Sequence, residues 1–433
     1  MFGYYCKLAL HSFRRNRLLT ALMVLAIAVG IGASMTTLTV FHVLAADPIP
    51  GKSAQLFYVE MNVYPDEKYE PGATEPLQLT RRDAEALLRD KRGDRQAMMS
   101  AGGVSVVPAD PQQTPFSLEA RYTSADFFPM FGVPMRYGHA WTAEDDGRRA
   151  RVAVISRRLN EKLFGDVDSV GKDLQIGDAV LRIVGVVDDW SMNPRFYDMT
   201  NETYADSEDV FIPFSTSRDL ELGTRGTMDC WSDSPDGPTG ENAPCVWIQY
   251  WVELADAAKH ADYRAYLERY ARQQHDAGRL SHPADNRLSD VMTWLDRNHA
   301  VPADVRLQLW LALVFLGICL LNTVGLMLAK FMRHSGETGV RRALGASRRA
   351  IFAQHLVEAG MIGAAGGAAG LLLAWIGLWL VRRQPADYAG LAHMDGSMLL
   401  GTLVLALASS LLAGALPAWQ AMRVPTALQL KSQ

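Results

Sequence analysis

Four stretches of this chain, residues 18–46, 307–329, 359–381 and 396–422, contain no Asp, Glu, Lys or Arg. Each reaches the roughly 20 apolar residues that a helix needs to cross about 30 Å of hydrocarbon. Buried helices of soluble proteins seldom run so far without a charge, so the pattern predicts four membrane spans. The first stretch also invites reading as a secretory signal, because Arg14, Arg15 and Arg17 precede it and Val43-Leu44-Ala45 offers a cleavage pattern. Its apolar run is about twice the 7–15 residues of a signal core, and a retained anchor is expected.

Charge placement sets the orientation. Residues 1–17, 330–358 and 423–433 together hold 12 basic and 2 acidic residues, whereas the rest of the chain holds 31 and 45. The positive-inside rule then puts both termini and the short connector in the cytoplasm. Arg382 and Arg383, at the outer end of the third span, run against the rule and would have to snorkel to headgroups. The overall composition, 49% hydrophobic and 21% charged with net charge −4, averages two unlike materials and hides this division.

The expected fold class is an α-helical membrane protein with four transmembrane helices and a large α+β domain inserted between helices 1 and 2. Its segments are a cytoplasmic start at 1–17, spans at 18–46, 307–329, 359–381 and 396–422, and an exported domain at 47–306. A coupling segment at 330–358, an outer turn at 382–395 and a cytoplasmic tail at 423–433 complete it.

Within 47–306 the alternation predicts strands at 54–63, 103–107, 116–123, 151–155, 174–176, 180–187, 210–214 and 246–254. Helices are expected at 81–89 behind a Thr80 cap, at 157–164 behind a Ser156 cap, and at 261–277. Ser124 is expected to cap a short helical turn, residues 188–209 to be loop, and a helix from about Leu288 to enter the second span with a break at Pro302. Cys230 and Cys245 bracket a Pro/Gly/Ser-rich loop on the exported side, where an oxidising compartment favours their disulfide. Closing a loop of about 15 residues is worth roughly 3 kcal/mol. Cys6 and Cys319 have no such partner.

Catalytic and phosphate-binding motifs fail. Gly51-Lys52-Ser53 lacks the first glycine of a P-loop, since position 46 is Ala; Gly165…Gly171-Lys172 has one residue too many and continues into Asp173. His260, His275, His282 and His299 lack paired ligand spacing, and no Gly-x-Ser-x-Gly elbow occurs. No catalytic residue, bound cofactor, metal or nucleic-acid partner is expected, and the chain is read as no enzyme.

The connector, KFMRHSGETGVRRALGASRRAIFAQHLVE, sets six Lys/Arg against Glu337 and Glu358. Its centre reads as an amphipathic helix with Val340, Ala343, Leu344 and Ile351 apolar. A membrane loop need only reverse direction; this one looks built to dock something. Glu337 and Arg341 are placed to pair at i,i+4 for about 0.3–0.5 kcal/mol. His355 and Glu358, on one helix face at the membrane boundary, are expected to be interfacial. Gly363, Gly366, Gly367 and Gly370 place two overlapping G-x-x-x-G patterns on the third span, which allow close helix approach within or between subunits. Asn322 is expected to hydrogen-bond another helix.

These residues together resemble the permeases of the MacB/FtsX/LolCE group, the mechanotransmission ABC transporters. Glu337-Thr338-Gly339-Val340-Arg341-Arg342-Ala343-Leu344-Gly345-Ala346 is similar to the group's E-I-G-x-R-x-A-x-G-A signature, with Thr338 for the usual Ile. Tyr122-Thr123-Ser124-Ala125-Asp126-Phe127-Phe128 and the elements between Val152 and Val187 resemble its MacB-like periplasmic core domain, with His139 where Arg is usual. Leu416-Pro417-Ala418, Ala421, Pro425 and Ala427-Leu428 resemble its ending, with Gln429 for the common Arg. The resemblance implies a bacterial inner-membrane subunit that dimerises with an identical copy or a paralogue. It implies spans 1 and 2 extending as stalks, and a separate cytoplasmic ABC ATPase dimer that uses ATP. Glu337, Val340, Arg341, Arg342, Leu344 and Gly345 would be the coupling positions. The implied work is efflux or extrusion of a periplasmic substrate, with a periplasmic adaptor and an outer-membrane duct as further partners. An FtsX-like signal relay and LolCE-like lipoprotein extraction are the alternatives.

Overall fold

The computed structural model describes residues 2–65, 78–201, 203–280, 286–333, 335–384, 388–391, 393 and 396–423. It divides into two compact units, one formed by residues 1–46 with 301–433 and one by 47–300.

In the first unit, long apolar helices run through all four charge-free windows: Arg17–Ala45, Ala303–Arg333, Arg348–Val381 and Gly396–Arg423. All four are long and apolar enough to cross a membrane. Leu307, Trp310, Leu321, Leu372, Trp375 and Leu412 stay exposed on their outer faces, as lipid-facing side chains must. The third helix is where the bundle closes. A Cβ placed on Gly367 would lie 2.6 Å from Ala406, and one on Gly363 would strike Ser410, both on the fourth helix. A Cβ on Gly366 would lie 2.7 Å from Ile27, and one on Gly370 3.1 Å from Ile31, both on the first. The two G-x-x-x-G patterns therefore serve two different neighbours inside one chain.

One expectation for this unit needs correction. Asn322 is exposed rather than bonded to a neighbouring helix; the adjacent Thr323 is the buried one, its hydroxyl donating to the Cys319 carbonyl at 2.8 Å. Residues Phe2–Arg15, for which the sequence carried no secondary-structure expectation, form a helix that packs on the third span. The Arg383 guanidinium lies 3.8 Å from the centre of the Trp379 ring.

Among the described residues, the second unit is built on twelve strands: β1 (Leu56–Glu60), β2 (Leu79–Thr80), β3 (Arg95–Val107), β4 (Phe116–Thr123), β5 (Met135–Gly138), β6 (Val152–Ser156), β7 (Asp173–Ile176), β8 (Ala179–Val187), β9 (Val210–Pro213), β10 (Asp229–Cys230), β11 (Cys245–Glu253) and β12 (Arg287–Asp290). The main path runs β12-β1-β11-β3-β4-β9-β6-β8-β5, with β4–β9 and β6–β8 parallel. Period-two alternation divides the core between the faces. Val59, Met98 and Tyr250 join the helices Arg81–Asp90 and Ala257–Asp276 on one side, while Tyr58, Met99 and Trp251 join Phe127, Phe131 and Trp294 on the other. Thr80 and Ser156 cap their helices as expected, accepting from the N–H groups of Asp83 and Leu159. Cys230 and Cys245, register partners in β10 and β11, are disulfide-bonded.

Where expectation failed, long-range pairing decided the outcome. β3 starts at Arg95 rather than 103, because β11 pairs with its first half. Ser124 caps no helix: its hydroxyl donates to the Gln96 carbonyl and accepts from Met98 N–H, both at 3.2 Å, lacing the chain to β3. Leu288 is in a strand, not a helix, since β12 adds to the edge of β1; a separate helix, Val291–Arg297, follows before Pro302 and the second span. Residues 188–209 are largely without regular structure, yet Phe196 and Tyr197 are fully buried there. Asp198 and Glu208 of the same loop hold the buried Arg121, with Asp198 Oδ2 at 2.7 Å from Nη2.

Candidate coupling site

The connector is a helix, a stop, a cap and a second helix. The helix Ser335–Ala343 closes with Leu344 N–H donating to the Val340 carbonyl and Ala346 N–H to that of Arg341, both at 3.0 Å. Gly345 follows at φ +99°, a left-handed conformation that any side chain would strain. Ser347 then caps Arg348–Val381, its hydroxyl accepting from Ala350 N–H at 3.2 Å.

This geometry puts apolar side chains in the open. Val340 is 48% exposed and Leu344 83%. Arg348 and Arg349 are exposed beyond the turn, and Arg342 is half-buried. Arg341 turns back on the chain, donating from Nη1 to Gln354 Oε1 at 2.8 Å. The side chain of Glu337, its expected partner, lies outside the described residues.

Beneath the connector sits a sealed polar cluster. Lys330 Nζ lies 2.6 Å from Glu358 Oε1, with the two side chains only 1% and 7% exposed. Ser12 of the N-terminal helix donates to the same carboxylate oxygen at 2.7 Å, and His355 Nδ1 is 3.7 Å from the other. Phe331 lies against the His355 ring at 4.0 Å, and Lys330 Nζ is 4.9 Å from the centre of the Phe13 ring. His355 and Glu358, expected at the membrane boundary, are buried beneath the N-terminal helix and the end of the second span. Buried opposite charges of this kind depend on each other. The sequence does carry a signal for the pair: Lys330 is the first charge after one apolar window and Glu358 the last before the next.

Mechanically, the connector presents an apolar ridge on a short helix whose two supporting spans are fastened together at its base. Among the described residues, no group of three or more His, Cys, Asp or Glu is placed to hold a metal ion.

Residues 20–270 match the MacB-like periplasmic core domain family, and residues 309–426 match the FtsX-like permease C-terminal family. The pyoverdine export ATP-binding/permease protein PvdT of Pseudomonas aeruginosa is 24% identical over 419 residues, covering 96% of this chain and 57% of that protein. The macrolide export ATP-binding/permease protein MacB of Burkholderia pseudomallei is 25% identical over 382 residues, covering 83% and 50%. The chain spans about half the length of the curated relatives it matches. Among solved structures, the periplasmic region of MacB from Actinobacillus actinomycetemcomitans aligns with 58% of this chain and 96% of that one, at 14% identity and a TM-score of 0.38. The chain belongs to the MacB-like, FtsX-like family of ABC transporter permeases, multi-pass proteins of the inner membrane.

Proposed function

We propose that this permease receives the closure of a cytoplasmic ATPase dimer on its connector helix and turns it into movement of the exported domain, driving efflux or extrusion of a periplasmic substrate. The observation that carries this reading is the exposed Val340–Leu344 ridge on a helix whose flanking spans are joined by the Lys330–Glu358 pair. The charge asymmetry supports a cytoplasmic connector and cytoplasmic termini. The names of the relatives, export proteins for pyoverdine and for macrolides, support export as the work done. The reading assigns ATP hydrolysis to a separate subunit and a second permease, identical or paralogous, to the dimer. A periplasmic adaptor and an outer-membrane duct would extend the path.

The test is coupling. In membranes carrying the ATPase partner, an Arg341→Ala/Leu344→Ala double variant should insert as wild type does but fail to link ATP turnover to export. Export at the wild-type rate by that variant would remove the docking role.

A further inference from the structure

The inserted unit contains a cavity of about 810 Å³, within the range of small-molecule sites. Leu88 and Arg81 of the helix Arg81–Asp90 line one side, Met98 of β3 lies at its base, and Phe214 and Arg218 of the helix Phe214–Asp219 line the other. The cavity is therefore part apolar and part charged, with carboxylates as well as arginines in its lining.

Arg218 is the unusual member. Its guanidinium carbon lies 5.4 Å from the Trp247 ring centre, 5.6 Å from that of Tyr122 and 5.9 Å from that of Phe214. Nε donates to Ser217 Oγ at 3.3 Å and Nη2 to the Leu222 carbonyl at 2.6 Å. The other deeply placed arginines of this unit have carboxylates: Arg121 has Asp198 and Glu208, Arg195 has Glu208, and Arg279 has Asp83. Arg218 forms no ion pair among the described residues. None of the acids around the cavity pairs with Arg218: Glu85 pairs with Arg81, Asp94 with Lys259 and Asp219 with Arg149 and Arg151, Asp126 accepts from Gln96 N–H, Asp146 accepts from Ala125 N–H and Trp141 Nε1–H, and Glu241 is exposed. Burial, with Arg81 adding repulsion, pulls the Arg218 pKa down to about 10. A cation held among aromatic rings with its counter-charge missing is costly until an anion arrives.

We propose that this cavity binds a small carboxylate-bearing molecule with an apolar or aromatic body, its carboxylate paired with the Arg218 guanidinium. The planar fork of guanidinium donors suits a carboxylate, and Leu88, Met98 and Phe214 offer the body an apolar bed. The inference uses neither the connector nor ATP, so it stands or falls apart from the coupling proposal.

The test is binding of 2-naphthoate and its neutral analogue 2-naphthylmethanol to the full chain in lipid nanodiscs, measured by equilibrium dialysis against empty discs. Naphthoate should bind at least about tenfold more tightly than the alcohol, the margin expected of a charge-assisted hydrogen-bonded pair. Arg218→Met should erase that preference and Arg218→Lys should keep most of it. Leu88→Trp, which fills the cavity and leaves Arg218 in place, should expel both probes. Equal binding of the two probes to the wild type, no binding of either, a preference that survives Arg218→Met, or naphthoate binding unchanged in Leu88→Trp would each overturn the assignment.

Discussion

Lys330 and Glu358 are separated in sequence by the whole connector, yet their side chains meet at 2.6 Å in a pocket almost closed to solvent. Removing one partner strands the other charge. Lys330→Met is expected to destabilise the helical unit by about 3–5 kcal/mol, whereas Lys330→Met/Glu358→Leu should lose much less, because no buried charge is left over. Detergent-denaturation curves of both variants check this; equal losses would mean that the pair is not energetically linked.

The glycines of the third helix make a second prediction. Gly366→Ala sets a methyl against Ile27 with a gap too short for contact, so overpacking of about 1–3 kcal/mol is expected. Gly325→Ala, where nothing lies within 4 Å of the added carbon, should be neutral or slightly favourable in its helix. Thermal unfolding of the two variants side by side separates packing from helix propensity.

Asp146 carries a pH dependence with a definite sign. Burial pushes its carboxyl up from 3.8 to about 6, against the opposing hydrogen bonds from Ala125 N–H and Trp141 Nε1–H. The folded state thus holds this proton more tightly than the unfolded chain does. Its contribution is most favourable below pH 3.8 and is lost as pH rises to 6, a change on the order of 3 kcal/mol. Asp146→Asn cannot ionise, so its stability relative to wild type should improve between pH 4 and pH 7 by about that amount. A pH-independent difference between the two proteins would rule this out.

The bridge between Cys230 and Cys245 spans 15 residues of sequence. Replacing both with Ser should cost the inserted unit about 3 kcal/mol, mostly by freeing the unfolded chain. Unfolding followed by tryptophan fluorescence, with and without reductant, gives the measurement: reductant should lower the wild-type midpoint and leave the variant unchanged.

The legible parts of this protein were those written locally. A membrane span declares itself through its own composition, and Thr80 and Ser156 announce helix starts within a few residues. The amphipathic helix at the centre of the connector belongs to the same class. What stayed hidden depends on partners far along the chain. The core role of Phe196 and Tyr197 follows from Arg121 capturing Glu208, 87 residues away. β12 exists only because β1 offers an edge, and the burial of Glu358 needs Ser12, 346 residues away. The Arg218 cavity has no local sequence signature, since its lining is drawn from segments scattered between residues 81 and 241.

The paired glycine faces of the third helix also restrict how the bundle can move. Ile27 and Ile31 engage one side of that helix and Ala406 and Ser410 another, so it is splined between its neighbours. Turning it about its own axis would drive its backbone into one ridge or the other. Torsion of that helix is thereby opposed by packing on two sides at once.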